Sequence, residues 1–284
     1  MSEKENTTND AIVKTENSSI LLAKAVETLT TLAEGKDAEF KDRILNLARL
    51  ASPTIKGLEG PAQITIPQII IYQPTSNAKI IPETAKVGGM YTSEGVDLGD
   101  KVTFIPVLAH KTRKKWGDEY LDCISFDGDN GSKYGACDSC NFGRFEQGRK
   151  TLCSSGHTFF AVTEDLRSIY RIDFLKTSAK AGRNVIRLTI PPALWGRSFV
   201  LTTENVKKPQ QNYYIFQTAP TGETIDPETQ EVCEALHGFF QANYLRAQEA
   251  QRQFTFRGSS NSNEQETTVE EESDSDSVDY TDSM

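Results

Sequence analysis

The sequence predicts a mainly β fold with flanking helices, and three observations lead to this expectation. β-branched and aromatic residues alternate with polar ones through the middle of the chain, which is typical of strands. Apolar residues recur at helical spacing near both ends. The middle follows the order of three strands, one helix and two strands, which is that of a five-stranded OB-like barrel. We therefore expect an α+β chain with an OB-like barrel, an N-terminal helical hairpin and a C-terminal helix.

Helices are predicted at both ends of the chain. Residues 1–17 are polar and are expected to be disordered, whereas residues 18–56 have the pattern of a helical hairpin. Gly35 can end its first helix, and Asp37 can cap its second. Asp226 followed by proline suits the start of the C-terminal helix. The hairpin can pack on the main domain or, alternatively, on a second copy of the chain as a self-association surface.

The barrel strands are predicted from alternating apolar residues inside a core that spans residues 62–257. The strand segments are residues 101–110, 119–126, 157–162, 168–175, 199–204 and 213–218. The segments at 157–162 and 168–175, which follow the cysteine insert, are both predicted as strands. A short basic helix is expected at residues 176–190, before the last two strands.

The end of the chain is strongly acidic, whereas its centre is basic. Residues 258–284 contain nine Asp and Glu and no Lys or Arg, and such a segment buries too little apolar surface to fold alone. Residues 1–257 are balanced at 31 basic and 31 acidic residues, and residues 101–200 contain 16 Lys and Arg against 10 Asp and Glu. This pattern predicts a basic binding surface and a disordered acidic tail.

Four of the five cysteines lie within one insert, residues 123–157. They are Cys123, Cys137, Cys140 and Cys153. Two residues separate the middle pair, and this spacing lets one tight loop point both thiolates at the same metal, as in structural zinc sites. We therefore predict one structural Zn²⁺ ligated by the four cysteines, with His157 as an alternative fourth ligand. Buried free thiols or a redox pair are the alternatives.

Basic and aromatic side chains cluster around this insert and the neighbouring strands. Cations can follow phosphates and rings can stack on bases, a combination typical of sequence-tolerant single-strand binding. The candidate contacts are Lys111, Arg113, Lys114, Lys115, Trp116, Tyr120, Phe142, Arg144, Phe145, Arg149, Lys150, Arg171, Lys176, Lys180, Arg183 and Tyr214. The alternative is that many of the rings belong to the core and that the charges only solvate a surface.

With these features the chain resembles the single-stranded DNA-binding proteins of bacteriophages. The resemblance rests on the basic segment 111–115, the four clustered cysteines and the acidic tail. It implies an OB fold with an embedded zinc knuckle and a groove for single-stranded DNA beside it. It also implies that residues 258–284 recruit replication, recombination or transcription proteins. The chain departs from the zinc-containing members of that family, which have a histidine where Cys123 stands.

We therefore expect a non-enzymatic protein that binds single-stranded DNA in phage replication or recombination. The alternative is a zinc-stabilised adaptor or transcription regulator that binds RNA polymerase or replication enzymes. A zinc-dependent hydrolase is a third hypothesis, but the sequence has no convincing ligand pattern for one. The sequence contains no 18-residue apolar run and no secretion signal, so we expect no membrane contact and a cytoplasmic location, that of the host if the chain is phage-encoded.

Overall fold

The computed structural model describes residues 20–51, 66–74, 84–117, 121–143, 151–209 and 211–259. The helices are α1 (20–32), α2 (Ala38–Ala51), α3 (Ala179–Leu188) and α4 (Pro227–Ser259). The strands are β1 (Gln68–Ile71), β2 (Met90–Thr92), β3 (Asp97–Gly99), β4 (Lys101–Trp116), β5 (Leu121–Ser125), β6 (Asn130–Gly131), β7 (Gly135–Ala136), β8 (Cys153–Thr163), β9 (Ile169–Leu175), β10 (Arg197–Lys208) and β11 (Gln211–Thr224). The predicted class, mainly β with flanking helices, is confirmed.

One sheet contains nine of the strands. Its order is β11-β10-β4-β8-β9-β1-β2-β3, with β5 paired to β4 beside this path. Neighbours are antiparallel except for β1 and β9, which are parallel. The register of β4 against β8 shifts between Pro106 and Leu108, where proline lacks the N–H that a regular ladder needs. The sheet is therefore larger than the predicted five strands, and its longest strand carries a bulge.

Both faces of this sheet are covered by apolar side chains. The inner core joins α3 to residues of seven strands, including Phe104, Phe174 and Phe216. Strands from both ends of the sheet order, β1 and β2 as well as β10 and β11, contribute to this core. The sheet therefore curls around it. The outer core packs α1, α2 and α4 on the opposite face, where β4 contributes Ile105 and Val107. Residues 101–110 form the first part of β4, as predicted, and their side chains enter both cores.

The β1–β2 end of the curled sheet lies against the β10–β11 end. Among the described residues no backbone ladder joins these two ends, and side-chain hydrogen bonds link them instead. The amide of Gln73, just after β1, donates to Tyr214 O at 2.8 Å and accepts from Tyr214 N at 2.9 Å. Thr203 Oγ1 donates to Gly88 O at 2.7 Å. Gly88 has a φ of 85°, and a Cβ there would lie 2.3 Å from the Tyr214 ring. Glycine is therefore required at this seam.

The helices begin where the capping residues predict. Asp37 Oδ1 accepts hydrogen bonds from Glu39 N and Phe40 N, both at 3.0 Å, and Asp226 Oδ1 accepts one from Thr229 N at 2.9 Å. The apolar stripes of α1 and α2 are buried in the outer core of this chain. Self-association through residues 18–56 stays a prediction. The predicted disorder of residues 1–17 and of most of the acidic tail lies outside the described residues.

The predicted strand segments are found in the structure, and one of them lies beside the main path of the sheet. The segments 157–162 and 168–175, both predicted as strands, correspond to β8 and β9, which are antiparallel neighbours. The segment 119–126 is represented by β5, which pairs with β4 alone and leads into the cysteine insert. The predicted helix at 176–190 is confirmed, as a single 3-10 turn followed by α3.

Candidate nucleic-acid interface and thiol cluster

A basic groove lies between β4, β8, the start of α3 and the β10–β11 turn. Its volume is about 950 Å³. The cations that line it are Lys111, Arg113, Lys176, Arg183 and Lys208. His157 and Tyr213 supply rings, and Lys208 Nζ lies 5.6 Å from the centroid of the Tyr213 ring. Among the described residues that line the groove there is no Asp or Glu, so its lining carries a net positive charge.

Small residues on β8 provide space for these long cationic side chains. Lys111 is paired across the strands with His157, and Arg113 with Ser155. Gly156 lies between those two positions of β8 and also lines the groove. A Cβ at Gly156 would lie 1.9 Å from Phe174 O on β9, so only glycine permits this strand approach. The groove therefore depends on the close packing of β8 against β9.

Lys176 reaches the groove from an unusual backbone conformation. It follows β9 directly and has a φ of 51°, in the left-handed region that costs a non-glycine residue roughly 1–2 kcal/mol. Its side chain is exposed and lines the groove. Strained residues concentrate at functional sites, which makes Lys176 a candidate contact residue of the groove.

The pKa of His157 is lowered by burial and by the positive charge of the groove. Burial lowers this pKa below its ordinary value, and the positive charges of Arg183 and Lys111 lower it further. The imidazole is therefore neutral at pH 7. Within the described part of the chain, His157 Nδ1 is buried without a hydrogen-bond partner. A neutral ring that faces two cations can contact a base or accept a hydrogen bond from a ligand.

The four clustered cysteines converge on a second, smaller cavity. Cys123 of β5, Cys137 and Cys140 of the following turn and Cys153 of β8 all line it. Gly131 leaves space for them, because a Cβ there would lie 2.9 Å from Cys123 Sγ and 3.8 Å from Cys137 Sγ. His157, the alternative fourth ligand, is not among the described residues that line this cavity.

Backbone hydrogen bonds shape the turn that carries two of these thiols. Cys140 N donates to Cys137 O at 3.4 Å, and Gly143 N donates to Cys140 O at 3.0 Å. Cys153 N then donates to Phe142 O at 3.1 Å, which aligns the start of β8 with the end of the turn. The chain thus returns to the sheet next to the thiols it has just presented.

The donor set of this cavity suits a structural zinc ion, which is commonly held by four cysteines. Burial raises the pKa of both Cys137 and Cys153, and the neighbouring thiols raise it further. A bound divalent cation reverses this effect because it stabilises thiolates. As placed in the described part of the chain, however, no three or more His, Cys, Asp or Glu side chains form a group that could hold a metal ion. The zinc ion therefore stays a proposal.

The insert is held together by its own polar and aromatic contacts. Asp122 is only 6% exposed and forms ion pairs with Lys115 and Lys133, while Tyr134 OH donates to it at 2.8 Å. These hydrogen bonds from Lys115, Lys133 and Tyr134 hold the pKa of Asp122 well below its ordinary value. Lys115 Nζ also lies 4.5 Å from the centroid of the Phe142 ring. Lys115 and Phe142, both candidate contacts, are thus engaged inside the insert.

Several other candidate contacts lie away from the groove. Lys114 is buried and forms an ion pair with Asp173, which Arg171 also approaches at 3.7 Å. Lys180 is exposed on α3 but does not line the groove. Trp116 is 56% exposed at the end of β4. Tyr214 packs on Gly88 at the seam. Tyr120, Arg144, Phe145, Arg149 and Lys150 lie outside the described residues.

The sequence-based candidates omit two residues that line the groove, Lys208 and Tyr213. Both belong to the β10–β11 hairpin, and Lys208 Nζ lies 5.6 Å from the centroid of the Tyr213 ring. The sequence signal that could have identified them is the basic turn between the last two predicted strands. In OB folds, the loop between strands 4 and 5 contributes to ligand binding. The fifth cysteine, Cys233, is buried in the outer core, and burial raises its pKa to about 12.

Among the described helices, none is both long enough and apolar enough to cross a membrane. Comparisons with known proteins return nothing to which the chain can be assigned. No protein-family model, curated protein or solved structure matches it.

Proposed function

We propose that this chain is a non-enzymatic protein that binds single-stranded DNA with little sequence preference, in replication or recombination. The observation that carries the proposal is the groove of five cations, which has no carboxylate among its described lining residues. Phosphates can follow these cations while bases contact Tyr213 and His157. Binding to bases in this manner requires that they be unpaired, which favours single strands.

The position of the groove supports an OB-like reading of the fold. Five strands, β4, β8, β9, β10 and β11, occur in the OB order, and α3 lies between the third and the fourth. The pairs β4–β8, β8–β9, β4–β10 and β10–β11 are four of the five that a closed OB barrel has, and no ladder among the described residues joins β9 to β11. OB folds bind oligonucleotides on strands 2 and 3 and on the loops between strands 1 and 2 and strands 4 and 5. In this correspondence the cysteine insert and the β10–β11 turn are those two loops.

The decisive experiment is a titration of fluorescein-labelled oligo-dT, followed by anisotropy at several salt concentrations. The logarithm of single-strand affinity falls against the logarithm of salt with a slope of about −0.7 per phosphate contact. Removing two groove cations with Lys111→Ala and Arg183→Ala should make the slope shallower by about 1.4. Lys101→Ala is the matched control, because Lys101 is an exposed cation of the same strand outside the groove. Failure to bind, or an unchanged slope in the double variant, would refute the proposal.

We further propose that Cys123, Cys137, Cys140 and Cys153 hold one structural Zn²⁺. The ion would supply a fixed link between β5, the turn and β8, since a closed site of four thiolates leaves no position for a reacting water. The convergence of the four side chains on one cavity supports this proposal. Metal analysis of the purified protein should find one zinc per chain. Replacing Cys137 and Cys140 by Ser should abolish it.

A second candidate function is an adaptor that binds a polymerase or another replication enzyme. The observation in its favour is an exposed apolar row formed by Trp116, Leu121 and Leu152, which are 56%, 38% and 65% exposed. Trp116 pairs with Leu121, and Leu152 precedes the residue that pairs with Lys115. A pull-down that retains polymerase with wild-type protein and loses it with Trp116→Ala would favour the adaptor, provided that the protein does not bind oligo-dT.

Two further parts of the proposal are a relation to phage single-stranded DNA-binding proteins and the recruitment of partner proteins by the acidic tail.

A further inference from the structure

Arg113 belongs to both sites. Its side chain lines the basic groove and the thiol cavity, and it is only 25% exposed. Nη2 lies 3.0 Å from Asp138 Oδ1, and Nη1 lies 3.4 Å from Cys137 O. One cation of the groove is therefore held by the Cys-x-x-Cys turn itself.

The main chain of Arg113 is fixed, so its side chain is the part that can respond to the turn. Arg113 pairs with Ser155 of β8 on one side and with Ser125 of β5 on the other. Gly143 ends the turn, and a Cβ there would lie 2.9 Å from Cys137 O and 3.4 Å from Arg113 Nη1. Because glycine leaves this space open, the guanidinium packs directly against the turn that carries two of the four thiols.

We propose that Arg113 couples metal binding at the thiol cluster to strand binding in the groove, an inference that rests on the proposed function. A metal held by Cys137 and Cys140 fixes the turn, and the turn fixes the guanidinium at the wall of the groove. A phosphate bound by Arg113 steadies the same turn from the other side. Coupling between two binding sites is reciprocal, so bound single strands must raise the affinity for the metal.

The test is the zinc affinity of the full-length protein, measured by equilibrium competition with a chromogenic chelator, with and without saturating oligo-dT. We expect oligo-dT to raise zinc affinity at least about 5-fold, the lower end of typical coupling. Asp138→Asn should reduce this gain to less than about 2-fold, because it removes the charge that holds Nη2. Asp138 is 86% exposed and lines neither cavity; because it stands between Cys137 and Cys140, its gain is measured against the zinc affinity of the same variant without oligo-dT. Arg113→Lys keeps the charge but loses the planar fork that reaches both Cys137 O and Asp138, so it should act in the same direction.

Asp100→Asn is the matched control. Asp100 is another exposed carboxylate that pairs with a cation, Lys86 at 3.2 Å, and it lines neither cavity. This variant should keep the full gain in zinc affinity. An equal gain in Asp138→Asn, Asp100→Asn and wild-type protein would overturn the role of Arg113, as would a chain that binds no zinc. A chain that binds zinc but no oligo-dT would refute the proposed function itself, and the coupling with it.

Discussion

Substitutions at Lys176 should separate the stability of the chain from its affinity for single strands. The left-handed φ of 51° at Lys176 costs any non-glycine residue roughly 1–2 kcal/mol. Lys176→Ala keeps this strain and removes the charge, whereas Lys176→Gly removes both. Glycine adds about 0.5–1 kcal/mol of backbone entropy to the unfolded state. The glycine variant should therefore exceed the alanine variant by about 0.5–1 kcal/mol in free energy of unfolding, or about 1–4 °C in Tm.

Thermal unfolding followed by circular dichroism measures the stability of both variants, and oligo-dT anisotropy measures their binding. Since both variants lose the same groove cation, both should bind with the same weakened affinity and with a salt slope shallower by about 0.7. A glycine variant less stable than the alanine variant would show that the turn is not strained. Wild-type affinity in both would show that Lys176 contacts no phosphate.

Three further predictions concern the sheet, the groove floor and the tail. Asp173→Asn leaves the Lys114 ammonium buried without its counter-charge and should cost about 3–5 kcal/mol in urea unfolding. Although burial opposes it, the charge of Lys114 lowers the pKa of Asp173 from its ordinary 3.8, so this contribution is present above pH 3.8 and is lost as the pH falls through the lower folded value. Gly156→Ala should lower Tm and oligo-dT affinity together, because its Cβ would meet Phe174 O; an unchanged Tm would contradict this. Removal of residues 260–284, which carry nine carboxylates, should tighten binding at low salt if the tail competes for the groove, and equal affinity would reject that competition.

The features that could be predicted from the sequence are those that short-range chemistry decides. Asp37 and Asp226 cap helices because their carboxylates reach N–H groups two or three residues ahead. The thiol cluster was predictable for the same reason, since Cys137 and Cys140 share one turn. Cys123 and Cys153 join them because β4 pairs with both β5 and β8 at Lys115, a convergence that spacing alone suggested.

The sequence could not predict which strands pair with each other or to which side of the sheet each side chain points. Alternation of apolar residues identifies strands but not their partners, which is why β5 was assigned to the barrel. The bulge between Pro106 and Leu108 determines to which side of the sheet the later side chains of β4 point. One extra residue in a strand reverses which side chains point inward. Downstream of the bulge, Lys111 and Arg113 line the groove while Lys114 turns to a buried partner. All three belong to one basic segment, so composition could not distinguish them.

The arrangement places three roles on a single strand. The first half of β4 supplies Phe104 to the inner core and Ile105 to the outer core, and its second half supplies Lys111 and Arg113 to the groove. Within the described residues, neither core contains a side chain from 121–143. The proposed metal site therefore lies outside both cores, although the insert still contacts the rest of the chain through the β4–β5 ladder and the Phe126 ring against Tyr244. Arg113 lines both the groove and the thiol cavity, so under the proposed coupling the metal would act on strand binding from outside both cores.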